Sequence, residues 1–211
     1  MFITFEGLDF CGKSTQVKLL RNYLVRQGKD VKLIREPGGT KISEKVREIL
    51  LDKNNLEMSP ETELLLFTAS RIQLVKEVII PNLKKDVFVI SDRFHHSSIA
   101  YQGFGRGLDL DFVESLQSFA IQGALPDITF LLDISVEEVN KRKEEFEHQN
   151  LDRIELSKNR FYENVREGYL YLEKKELYIK RIDGSLPIDT IHRQIISEIK
   201  KFKTNADYLN E

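Results

Sequence analysis

The stretch Gly7-Leu-Asp-Phe-Cys-Gly-Lys13-Ser14 fits the pattern G-x-x-x-x-G-K-[ST], and no other feature of the chain restricts its fold so strongly. The pattern needs a strand before it and a helix after it, and the flanking residues supply both. Phe2 to Phe5 is a short run of aromatic and β-branched residues, and the residues after Ser14 carry apolar positions at helical spacing. Glycines at both ends of such a turn let successive backbone N–H groups point inward as an anion nest, and the helix start adds the positive end of its dipole. Lys13 then reaches the β- and γ-phosphates of a nucleoside triphosphate, and the Ser14 hydroxyl is placed for Mg²⁺. Gly7, Leu8, Asp9, Phe10, Cys11, Gly12, Lys13, Ser14 and Thr15 are therefore the expected nucleotide-binding stretch. Cys11 reads as a small residue in a tight loop.

A strand that feeds a phosphate loop has to lie inside a sheet, and four more strand-like runs are present: Val31 to Ile34, Val87 to Ile90, Ile128 to Leu132 and Leu177 to Ile182. Helical patterns separate them, which predicts an α/β fold with a parallel sheet covered on both faces. The 211 residues suit one domain spanning 1–211. Ser59 before Pro60 predicts a capped helix start, and Ser135 with Glu138 predicts a capping box. Ile188, Ile191, Ile195 and Ile199 mark the buried face of a last helix, with a polar tail from Lys203 expected to fray. The helix from Pro60 to about Ile80 is apolar around most of its circumference. It is expected to be buried on more than one side, either as a core helix or as a core helix that also builds a subunit interface.

Charge and cysteine content narrow the partners. The 32 basic residues are balanced by 34 acidic ones, so no broad field favours nucleic acid or an anionic membrane, and any basic site must be local. A single cysteine excludes an internal disulfide framework and fits a reducing compartment, with the cytoplasm the expectation. No basic-then-apolar leader and no membrane-length apolar run are visible.

Asp92 follows the run Val87 to Ser91, at the carboxyl end of a buried strand, where open α/β sheets hold their ligands. It is the expected partner of Mg²⁺ or its water shell; Asp133, its rival, is expected to be structural, beside the Ser135 cap. A GTPase would need Asn-Lys-x-Asp to read guanine, and Asn140-Lys141 continues without the aspartate. A small kinase needs an acceptor site and a segment that closes over the γ-phosphate, and the charge-rich stretch at about 141–156 suits such a lid.

Four further segments follow the phosphate loop in order: Arg35-Glu-Pro-Gly-Gly-Thr40, Phe67-x-x-x-Arg71, Asp92-Arg-Phe94 with Ala100-Tyr-Gln-Gly103, and Leu151-Asp-Arg-Ile-Glu155. Together they resemble the thymidylate kinase family over nearly the whole chain. The resemblance implies a P-loop NTPase fold with a five-stranded parallel sheet, the substrates dTMP and ATP with Mg²⁺ as cofactor, and a homodimer. It assigns Phe67 to stacking on thymine and Arg71 to a base carbonyl; the two lie four residues apart and share a helix face. By the same resemblance Arg47 and Arg93 bind the 5′-phosphate, Asp9 serves the deoxyribose 3′-hydroxyl or organises the arginines, and Tyr101 disfavours ribose. Ser98 and Gln102 complete the base contacts. His95 and His96 lack metal-ligand spacing and are expected at the surface.

The sequence departs from the family at Phe10, where members carry arginine or glycine. Because Phe10 supplies no charge, a lid residue must, and Arg142 and Arg153 are the two candidates, unranked. No general base is needed, since a phosphate monoester with a second pKa near ~6 is already largely dianionic at neutral pH. A related kinase for another nucleotide or deoxynucleoside, and a nucleotide-dependent switch or ATPase module, are the competing readings.

Overall fold

The computed structural model describes residues 1–145 and 151–208, with side chains to residue 202. Its five strands are β1 (Phe2–Glu6), β2 (Val31–Arg35), β3 (Phe88–Asp92), β4 (Ile128–Asp133) and β5 (Ile179–Asp183). They form one all-parallel sheet in the order β2-β3-β1-β4-β5. β1, β3 and β4 are buried almost throughout, as continuous apolar runs in a covered parallel sheet require. The chain leaves β1 toward β2 on one side and later returns to β4 on the other, so the carboxyl end of β1 is the crevice where the winding reverses. Ladder pairing brings Phe5, Asp92 and Arg35 level with one another at that end.

Helix α1 (Lys13–Arg26) starts from Gly12 at φ 96°, a left-handed conformation that a side chain adopts only at a cost. Gly7 has a stricter reason to be glycine: a Cβ there would lie 2.4 Å from the Leu132 carbonyl oxygen. Helix α2 (Lys41–Leu51) is capped by Thr40, whose hydroxyl accepts from the Ser43 N–H, and α3 (Pro60–Leu74) by Ser59 with Pro60 in its first turn. The apolar helix does not run unbroken to Ile80. It passes into a π-helical turn (Val75–Ile79) and a short α4 (Ile80–Leu83). Its burial is two-sided but incomplete: Leu64 and Leu74 are core residues, while Leu65 is 53 % exposed.

The remaining helices are α5 (His95–Ser98), α6 (Leu110–Ile121), α7 (Val136–Glu145), α8 (Asn159–Lys175) and α9 (Ile188–Tyr208), with a second π-helical turn at Ile99–Gly105. At the α7 start Ser135 caps the Glu138 N–H, but the Glu138 carboxylate pairs with Arg142 one turn on, so only half of the expected box forms. Helix α9 buries Ile191, Ile195 and Ile199 and stays helical past Lys203 to Tyr208. The side chains of the expected fraying tail, and the centre of the expected lid at 146–150, lie outside the described residues. Asp133 takes the structural role expected of it, since it is paired with Arg166 at 2.7 Å and Arg181 at 2.7 Å.

Candidate active site

A cavity of about 380 Å³ opens at the carboxyl end of β1 and β3. Gly12, Lys13, Ser14 and Thr15 line one end, Phe67, Arg71, Ser98 and Gln102 the other, and Arg47, Arg93, Asp9 and Tyr101 lie between. A cleft of this size, formed where the strand order reverses and lined by converging polar groups, is the expected place for ligand chemistry.

At the loop end the Lys13 ammonium curls back, donating to the Leu8 carbonyl at 2.7 Å and the Gly7 carbonyl at 3.2 Å. The Ser14 hydroxyl donates to Asp92 Oδ2 at 2.6 Å. Hydroxyl and carboxylate oxygens side by side next to an anion nest are hard donors that fit Mg²⁺. Phe10 sits at φ 63°, a left-handed conformation costly for a bulky residue. Its carbonyl accepts from Arg142 Nη1 at 3.0 Å, and Arg142 Nη2 donates to the Gly184 carbonyl at 3.0 Å.

The middle of the cavity is organised by Arg93, itself at φ 70° directly after β3. Nη2 is paired with Asp9 at 2.5 Å, and Nη1 donates to the Gly7 carbonyl, Ser97 and Tyr169. The guanidinium lies 4.9 Å from the Tyr101 ring centroid, and the Tyr101 hydroxyl donates to Asp9 Oδ2 at 3.0 Å. Burial alone would raise the Asp9 carboxyl, but Arg93 and Lys13 outweigh it and hold Asp9 below the usual carboxylate value. Ser97 anchors this turn, donating to the buried Glu6 at 2.6 Å. Arg47 donates to the Pro37 carbonyl at 2.8 Å, and Arg35 reaches the same oxygen at 3.1 Å. Burial and the neighbouring Arg35 charge both lower Arg47.

At the far end Phe67 and Arg71 share one face of α3. Arg71 is only 1 % exposed and is paired with Glu36 at 2.5 Å. Burial raises the Glu36 carboxyl, and Arg71 only partly offsets it. Gln102 gives its Nε2 to Glu63 at 2.8 Å, leaving the amide oxygen for the cavity.

Two expectations fail on geometry. Arg153, sought near the transferring group, is turned away from the cavity. Its Nε donates to the Leu50 carbonyl at 2.9 Å, and its Nη2 lies 2.6 Å from Glu63 Oε2, a charge pair off the angle of a hydrogen bond. Its neighbours Asp152 and Glu155 line the cavity instead, both raised chiefly by burial. His95 and His96, expected at the surface, are 5 % and 0 % exposed. Their rings stack with centroids 3.9 Å apart, and His96 is paired with Glu176 at 2.8 Å. This single turn is buried among partners distant in the chain, Glu176 and Tyr178 against His96 and Glu6 and Tyr169 against Ser97, and sequence gives no periodicity over four residues to reveal it.

Sequence reasoning also left out Arg35, Glu36, Asp152 and Glu155 as cavity residues. The first two stand inside the Arg35-to-Thr40 segment, Arg35 as the last residue of β2 and Glu36 directly after it, so the strand-end rule applied to Asp92 would have found them.

The comparisons with known proteins bear on the family and the fold. Residues 5–195 match the family described as Thymidylate kinase. A thymidylate kinase of Kosmotoga olearia is 49 % identical over 200 residues, covering 94 % of each chain. One from Thermoanaerobacter sp. (strain X514) is 47 % identical, covering 95 % of this chain and 98 % of that one. The crystal structure of thymidylate kinase from Ehrlichia chaffeensis superposes with a TM-score of 0.77 at 35 % identity, covering 95 % of this chain and 98 % of the other. With that length, that identity and the same cleft-forming fold, the chain belongs to the thymidylate kinase family.

Proposed function

We propose that the protein transfers the γ-phosphoryl group of Mg·ATP to the 5′-phosphate of dTMP, giving dTDP and ADP. One observation carries the reading: a single cavity is lined both by the phosphate loop and by the Phe67–Arg71 pair, with Arg47 and Arg93 in the same lining. Phe67 stacks on the thymine ring, and Arg71, Ser98 and Gln102 address its polar edge. Arg47 and Arg93 take the acceptor phosphate, as planar fork donors suit its oxygens. Asp9 holds Arg93 and meets the 3′-hydroxyl, and Tyr101 crowds the 2′ position.

Lys13 leaves the loop carbonyls to neutralise the transferring group, and Ser14 with Asp92 would hold Mg²⁺, which would supply further neutralisation of phosphate charge when bound. Of the two lid arginines, Arg142 is the better placed to serve the phosphates, through its contact with the Phe10 carbonyl; Arg153 anchors the lid. Catalysis then consists of in-line positioning, charge neutralisation and exclusion of water.

The chain acts as one domain with a lid at 141–156, and as a homodimer. Supporting the dimer, Leu65 on α3 and Phe112 and Phe119 on α6 are 53, 56 and 67 % exposed on two helices that pack together. No helix of the described residues is long and apolar enough to cross a membrane, and the lone free cysteine suits a cytoplasmic enzyme.

Assaying dTMP, dUMP, dCMP and thymidine side by side with Mg·ATP tests the reading. The expected order puts dTMP first and thymidine at background. Rapid ATP hydrolysis that no acceptor alters would defeat it.

A further inference from the structure

The guanidinium of Arg71 has five N–H groups; four of them donate hydrogen bonds inside the protein, and Nη2 also lies 2.5 Å from Glu36 Oε2. Nε donates to Glu36 Oε2 at 2.7 Å, Nη2 to the Phe94 carbonyl at 3.0 Å, and Nη1 both to Ser98 Oγ at 2.8 Å and to Gln117 Oε1. Three of these acceptors cannot present the wrong end. A carboxylate and a carbonyl only accept, and a hydroxyl rotates to suit.

Gln117 differs, because an amide turned by 180° has almost the same shape but would set its two N–H groups against those of Arg71. Thr68 decides which way it faces. The Thr68 hydroxyl donates its one hydrogen to the Leu64 carbonyl at 2.8 Å, a turn earlier on α3. Only lone pairs remain for α6, and Gln117 Nε2 donates to them at 3.2 Å. The amide oxygen is thereby aimed at Arg71. Thr68, Gln117 and Arg71 are all buried, so water offers no substitute partner and a reversed amide would leave donors facing donors.

We propose that Gln117, oriented by Thr68, is a positioning residue for the guanidinium that reads the acceptor base, and so for the choice between a base with a carbonyl and one with an amino group at that edge. The inference rests on the reading of Arg71 as the base-facing residue. An arginine offers donors only, so it accepts a carbonyl and rejects an amino group. That discrimination depends on the plane of the guanidinium being held still, and both Nη1 hydrogens are what Gln117 and Ser98 hold. Neither Gln117 nor Thr68 lines the cavity, so any effect on substrate passes through Arg71.

Thr68→Val removes the hydroxyl at nearly constant shape, Thr68→Ser keeps it, and Gln117→Leu removes the amide. Steady-state kinetics with dTMP and dCMP, with Tm recorded for each variant, form the test. Thr68→Val and Gln117→Leu are expected to raise KM for dTMP roughly ten-fold, the order of one hydrogen bond to a charged group. KM for ATP should stay within about two-fold, the kcat/KM preference for dTMP over dCMP should narrow, and Thr68→Ser should behave like the parent. If Tm falls while the dTMP KM and the dTMP-to-dCMP ratio stay put, the pair only holds α6 to α3 and the proposal is wrong. Should Gln117→Leu fail to fold, Thr68→Val decides alone. Arg71→Ala is measured in parallel: an unmoved dTMP KM there brings down the base-reading role itself, whereas a raised KM with Thr68→Val unaffected brings down only the relay.

Discussion

At the acceptor end of the cavity the cation is caged by the fold, and at the loop end the cations rest on backbone carbonyls. Arg71 is held by side chains from α6, from α5 and from the segment after β2, a built geometry that changes little when a flat base arrives. Lys13 instead occupies the carbonyls of Gly7 and Leu8, and Arg142 adds those of Phe10 and Gly184 to its pairing with Glu138 one turn earlier. Each such bond contributes only about 1–3 kcal/mol, so an incoming triphosphate, with several charges, outcompetes them. The contrast fits the chemistry: base selection rewards rigidity, while phosphoryl transfer needs charges that follow the moving group.

The largest test of the contrast is Lys13→Ala. With the one loop cation gone, single-turnover phosphoryl transfer should slow by roughly a thousand-fold, the order expected for losing a principal charge in the transition state. KM for dTMP should move far less. A comparable loss in dTMP affinity would mean that the two ends are not built separately.

Arg153→Ala probes the same contrast through the lid. Glu63 is buried and its carboxyl, raised by burial, is brought below its usual value by Arg106, Gln102 and Arg153. Removing Arg153 leaves that charge with Arg106 still on it, so the cost should be about 2 kcal/mol rather than the larger figure for a fully unpaired ion. Thermal unfolding should therefore register Arg153→Ala clearly, whereas Arg142→Ala should register in the chemical step with little change in Tm. The reverse pattern would make Arg153 the lid's catalytic arginine after all.

Which parts were legible in the chain follows from the range of the signals. The phosphate loop, the five strands and the two serine caps are encoded within a few consecutive residues, and each is found where those residues stand. The acceptor cage is not local: Glu36, Arg71, Ser98 and Gln117 come from four separate segments, and nothing in the run Leu110 to Ile121 singles out Gln117 from a solvated glutamine. Arg153 illustrates the same limit from the other direction. Its charge and its place in a recognisable segment are plain in sequence, but its direction depends on Glu63, a carboxylate on α3 far away in the chain.

A smaller metal-side effect should follow from Asp92→Asn. The Ser14 hydroxyl keeps an oxygen partner, but the site loses its negative charge. The Mg²⁺ concentration for half-maximal rate should rise roughly ten-fold, about 1.4 kcal/mol, with dTMP affinity held. An unchanged Mg²⁺ requirement would remove Asp92 from the metal's surroundings.

The smallest expected effect lies beneath the rigid end. His95 is buried against His96 and close to Arg71, and burial, then these two neighbours, lower its pKa well below the usual value. A group lowered in the folded state contributes stability that is fully present above its unfolded value, near ~6.5, and is lost as pH falls toward the folded one. Tm should thus decline by a few degrees as pH drops below about 6.5. Phe94 lies between His95 and Arg93, and its carbonyl accepts from Arg71, so loosening this turn should disturb the acceptor end first, with dTMP affinity weakening at acid pH before ATP affinity does. Replacing His95 with phenylalanine, which stacks but does not titrate, should flatten the acid decline in Tm. If the slope survives in His95→Phe, the proton is taken up elsewhere, and the rigidity of the acceptor end does not depend on a neutral His95.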